Sequence, residues 1–75
     1  IELDPTFAAA YETLGLSYLK QGRNTEAIAN LEKAVELSKR EAYALAALGY
    51  GYAVTGKRAE AVAIVKELEE RYARK

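Results

Sequence analysis

The chain has 75 residues, 51% of them hydrophobic and 29% charged, which fits one small globular domain and not a disordered segment. Eleven Lys and Arg balance eleven Asp and Glu, so the basic footprint of a nucleic-acid binder is missing, and no apolar run approaches the roughly 18 residues of a membrane span. Cysteine and histidine are both absent, which excludes disulfides, thiol chemistry, the usual triads and the usual zinc sites.

Alanine contributes 15 residues, and the single proline stands at position 5. Alanine has the best helix propensity, so the composition predicts an all-α chain. Asp4 is placed to cap a first helix and Pro5 suits its first turn. Helix α1 is expected over about Thr6–Lys20, with Tyr11, Leu14, Gly15 and Tyr18 on related faces. Gly22 then offers a left-handed stop, and Asn24 or Thr25 can cap α2. Helix α2, about Thr25–Leu37, carries Ala27, Ile28, Leu31, Ala34 and Val35 in one stripe.

Helix α3, about Ala42–Thr55, is apolar nearly all round and so expects neighbours on several sides. A second turn follows at Gly56. Helix α4 is expected over about Arg58–Tyr72, with Ala61, Val62, Val65, Leu68 and Tyr72 as its stripe and Ile64 as extra apolar surface.

These four helices are two copies of one unit. Tyr11-x-x-Leu14-Gly15-x-x-Tyr18 returns 34 residues later as Leu45-x-x-Leu48-Gly49-x-x-Tyr52. Gly22, Glu26, Ala27 and Ala29 return as Gly56, Glu60, Ala61 and Ala63, and 11 of the 34 aligned positions are identical without a gap. A period of this length is the signature of a repeat architecture. The domain plan is a leading remnant at 1–7, one repeat at 8–41 and a second at 42–75. Glycine within a helix costs about 1 kcal/mol relative to alanine. Its recurrence at Gly15 and Gly49 therefore signals close helix approach. Gly51 faces Ser17 in the alignment and reads as tolerated, not required.

The carboxylates Glu26, Glu32, Glu36, Glu67, Glu69 and Glu70 lie on the polar faces of amphipathic helices and read as solvated surface. Gly49-Tyr50-Gly51 lacks the strand, turn and lysine of a phosphate loop. No catalytic, metal or cofactor site is expected, and the chain is not expected to be an enzyme.

Tyr11, Leu14, Gly15, Tyr18, Ala27, Leu31 and Ala34 resemble the tetratricopeptide repeat, with Tyr11 for the usual Trp and Leu31 for the usual Phe. Leu45, Leu48, Gly49, Tyr52, Ala61 and Val65 form the second copy. Leu68 departs from the small residue usual there. The resemblance implies a stack of antiparallel helix pairs in a superhelix, an α-α solenoid fragment of a longer repeat protein. It implies a protein or peptide partner on the groove lined by the first helix of each pair.

Tyr43, Ala47, Tyr50 and Val54 share one face of α3. On the family architecture that face lines the groove, beside Ala9, Glu12, Thr13, Leu16 and Lys20 of α1. Some family members clamp a peptide's terminal carboxylate with Lys, Asn and Arg. The matching places here hold Glu12, Leu16, Ala47 and Tyr43, so an apolar segment or amphipathic helix is the expected ligand.

An alternative expectation is self-association, as stacked repeats or a homodimer. Ser38-Lys39-Arg40-Glu41 contains no glycine or proline, and Glu36 and Arg40 form a favourable i,i+4 pair across it. Either a tight turn ends α2 here, or α2 and α3 fuse into one long helix and two chains exchange repeats. Ile64 and Val65 of α4 are the second expected self-contact.

Overall fold

The computed structural model describes residues 5–73. Four α-helices follow one another: α1 Pro5–Lys20, α2 Asn24–Leu37, α3 Ala42–Val54 and α4 Arg58–Leu68. A π-helical turn, Glu69–Ala73, extends α4. There is no strand among the described residues. The fold is all-α, two antiparallel helix-turn-helix repeats, as the periodicity predicts. Pro5 opens α1, where its missing N–H costs nothing. The cap expected from Asp4 lies outside the described residues.

The core sits where α2 and α3 meet. The whole predicted stripe of α2 is buried: Ala27, Ile28, Leu31, Ala34 and Val35. It joins Ala44, Leu45, Ala47 and Leu48 of α3 and Ile64 of α4. Leu31 and Leu45 are the largest fully buried side chains. Burying a leucine stabilises by about 1.5–3 kcal/mol, so these two anchor the small core.

Glycines set how closely the helices approach. A Cβ on Gly15 would stand 2.7 Å from Leu31 Cγ, and one on Gly49 would stand 3.1 Å from Ile64 Cγ2. Each repeat therefore seats its second helix in a notch on its first. Gly51 is not merely tolerated, as the alignment with Ser17 suggests. A Cβ there would lie 2.6 Å from Leu31 Cδ1 and 3.3 Å from Ile28 Cδ1. Gly15 joins α1 to α2 within a repeat, whereas Gly51 joins the second repeat to the first.

Three helix ends close in one way. Arg23 N–H bonds Tyr18 O at 2.9 Å, Lys57 N–H bonds Tyr52 O at 2.8 Å, and Arg40 N–H bonds Val35 O at 2.9 Å. Each is the six-residue closure of a Schellman motif, which needs a left-handed residue just before the donor. Gly22 and Gly56 supply it at φ 78° and 84°. At the inter-repeat junction the seat is held by Lys39 at φ 59°, and Arg40 follows at φ 62°. A non-glycine residue in this region costs about 1–2 kcal/mol.

The junction is thus a turn. Helix α2 stops at Leu37 and α3 starts at Ala42, so the fused helix is not the arrangement seen. Ser38 Oγ helps to close it, accepting from Glu41 N–H at 3.3 Å and donating to Val35 O at 3.1 Å.

Other local expectations also change. Helix α2 begins at Asn24 after Arg23, with no side-chain cap bond from Asn24 or Thr25. The buried line on α4 is not the expected stripe: Ile64 is buried, Ala61 and Leu68 are half-buried, and Val62, Val65 and Tyr72 are exposed. Leu14 is 43% exposed although its counterpart Leu48 is 5% exposed. Leu48 lies between the two repeats, whereas Leu14 lies on the outer side of the first.

Candidate functional site

Two hollows bear on the expected sites. The first is a space of about 320 Å³ between the C-terminal halves of α1 and α3, lined by Leu16, Leu19, Lys20, Tyr50 and Val54. Leu16 and Lys20 are one turn apart on α1, and Tyr50 and Val54 are one turn apart on α3. Tyr50 is 58% exposed and Val54 52%. Large apolar side chains turned outward around one hollow make a surface fit to cover another apolar group. Lys20 adds one cation at its edge.

The structure brings four of the predicted groove residues together here: Leu16, Lys20, Tyr50 and Val54. Leu19 joins them from outside the expected set, because alignment to Tyr43, Ala47, Tyr50 and Val54 selects Leu16 and Lys20 but not the residue beside them. Tyr43, Ala9 and Thr13 are exposed and Glu12 is half-buried, but none lines this hollow. Ala47 is corrected outright. It is 8% exposed and belongs to the core, because α3 turns that side toward the first repeat.

The second hollow, about 510 Å³, lies between α2 and α4 over Leu48 and Tyr52 of α3. Its rim holds Glu32, Glu36 and Arg40. Most of these polar groups already have partners. The Tyr52 hydroxyl donates to Glu32 Oε2 at 2.8 Å. Burial, then this hydrogen bond, pushes the Tyr52 hydroxyl up to about 12. Arg40 donates to both Glu67 oxygens, from Nε at 2.7 Å and from Nη2 at 2.6 Å. Although larger, this hollow has less bonding capacity left for a ligand.

Of the residues expected at the junction, Arg40 is held in a clamp by Glu67, Arg71 and Tyr72. Arg40 reaches across to α4 and grips Glu67, and does not make the i,i+4 pair with Glu36. Arg71 Nη1 donates to Glu67 Oε2 at 3.2 Å and to the Arg40 carbonyl oxygen at 3.3 Å. The Tyr72 hydroxyl also donates to the Arg40 carbonyl oxygen, at 3.1 Å. The bonds from Arg40, followed by those from Arg71, hold the Glu67 carboxyl down at about 2. Glu67 is thus not the free surface carboxylate that its helix face suggests. A contact 27 residues away in sequence leaves no trace in local pattern.

The expected self-association pair divides. Val65 is 51% exposed, but Ile64 is 7% exposed and packs into the notch at Gly49. Ile64 is a core residue and is not available as a contact surface.

No group of histidine, cysteine, aspartate and glutamate among the described residues could hold a metal ion. No described helix is long and apolar enough to cross a membrane.

Helix pairs recurring every 34 residues and keyed by glycine notches define an all-α repeat protein. Residues 15–56, 42 of the 75, match the family model described as TPR repeat, and the chain belongs to the tetratricopeptide repeat family. Repeats of this family mediate protein–protein interaction and are non-catalytic modules. Comparison with curated proteins and with solved structures gave no match.

Proposed function

We propose that this chain is a non-enzymatic interaction module that docks an apolar segment of a partner protein between α1 and α3. The observation that supports it is the exposure of Tyr50 and Val54 around the hollow they share with Leu16 and Leu19. A partner helix carrying apolar residues at i and i+3 or i+4 fits two helices that each present side chains one turn apart. Lys20 favours an acidic residue beside that apolar pair. The repeat bounds 8–41 and 42–75 are part of the same reading.

Selection from a random peptide library on the intact chain tests it. The expected winners carry spaced apolar residues with an acidic neighbour, and they lose binding to Tyr50→Glu while the variant keeps its helical content. Undiminished binding to Tyr50→Glu counts against the groove.

A second reading is self-association by stacking. Val62 and Val65 are the 34-residue counterparts of Ile28 and Leu31, which α3 covers. In the second repeat this surface is 51% exposed at both valines. Val65→Lys lowers the mass of a stacked assembly toward monomer and leaves a groove-bound peptide in place.

A further inference from the structure

We infer that the Lys39–Arg40 junction is a hinge through which two copies of this chain exchange their second repeats, and that the Glu67 clamp restrains it. The hinge does not depend on the groove. It starts from the three matching helix ends. Gly22 and Gly56 occupy the left-handed seat in two of them, and glycine also disfavours continuing the helix there. Lys39 occupies it in the third, with Arg40 left-handed beside it. Both are strained as they stand, and both are good helix formers. Among the described turns, this one alone has more to gain than to lose by straightening.

Nothing else in the junction forbids a helix. Ser38, Lys39, Arg40 and Glu41 all have N–H groups to donate, and α3 begins after Glu41 without a side-chain cap. A straightened junction makes one helix from Asn24 to Val54, about 46 Å long at 1.5 Å per residue. Helix α3 then leaves its own first repeat. The surface it vacates, Leu31 and Ile28 against Gly51, is filled by α3 of a second copy. No contact of the core is lost, because each chain supplies the other's missing half. Short strained hinges are the usual sites of such exchange.

What opposes it is the clamp. The two bonds that Arg40 donates to Glu67, and the two that its carbonyl accepts from Arg71 and Tyr72, are made with the junction bent. The clamp comes from the C-terminal end of the very unit that would leave.

The test uses the full chain, which has no cysteine of its own. Asn24→Cys and Lys57→Cys place spin labels on two exposed residues that line one hollow, so they are close in the bent form. The labelled chain is diluted into unlabelled chain, concentrated, incubated near its unfolding midpoint and fractionated by mass. The expected result is a dimer whose intrachain label separation has grown to about 45 Å. Glu67→Gln with Tyr72→Phe raises the dimer association constant on the order of tenfold. Lys39→Gly, which leaves the Arg40 side chain in the clamp, lowers it by about as much. A chain that stays monomeric with and without the clamp overturns the inference. So does a dimer whose intrachain separation stays short, since that is stacking without exchange.

Discussion

Leu31 stands 2.6 Å, at Cδ1, from the point where a side chain on Gly51 would begin. The same leucine presses its Cγ and Cδ2 against Gly15 on the other side. It is fully buried and held between two helices, so it cannot swing away from either. One residue of α2 thereby fixes both the pairing within the first repeat and the docking of the second.

Gly51→Ala is predicted to destabilise the chain by about 1–2 kcal/mol. Overpacking costs about 1–3 kcal/mol, and alanine recovers up to about 1 kcal/mol of helix propensity. Urea unfolding measures the difference. Leu31→Ala should cost about 2–5 kcal/mol as a core truncation. In that background Gly51→Ala should become neutral or stabilising, because the clashing methyl is gone.

Lys39→Gly should raise stability by about 0.5–1 kcal/mol. It removes a left-handed strain of about 1–2 kcal/mol and adds part of glycine's entropic cost in the unfolded chain. Thermal and urea unfolding at one fixed low protein concentration read the monomer alone.

The frame of the fold is legible in the sequence and its joints are not. The 34-residue period, the buried stripe of α2, the notches at Gly15 and Gly49 and the glycine turns are all local or periodic features, and each is present. The role of Gly51 is hidden by comparison with Ser17, which asks only what the two repeats share. Gly51 serves the contact between them, where the first repeat has no counterpart inside the described chain. Ile64 and Ala47 look like surface for the same reason: a helical wheel shows which residues share a face but not which neighbour covers it. At the candidate site the helical face yields Leu16, Lys20, Tyr50 and Val54. It misses Leu19 because the approach of α1 to α3 sets which side of α1 faces the hollow. The Arg40–Glu67 pair spans two repeats, and periodicity is blind to it.

Glu67 makes stability depend on acid. Its folded carboxyl lies at about 2, below its ordinary 4.5. The contribution is fully present above the ordinary value and is lost as pH falls from about 4.5 through 2. The urea midpoint of the native chain should fall more steeply over that window than that of Glu67→Gln. Equal slopes would mean the clamp is not formed in solution.

Tyr52 gives the opposite case at alkaline pH. Its hydroxyl is raised from 10.0 to about 12, so its contribution holds below pH 10 and is lost as pH rises toward 12. Tyrosinate absorbance should show a late step toward pH 12 from Tyr52. Tyr52→Phe should remove that late step.

The interaction surface is tested most directly by mapping amide shifts in the isotope-labelled chain as a library-selected peptide is added. Docking between α1 and α3 predicts shifts centred on Leu16, Leu19, Tyr50 and Val54, saturating together. Shifts centred instead on Val62 and Val65, with the α1–α3 hollow unmoved, would contradict it.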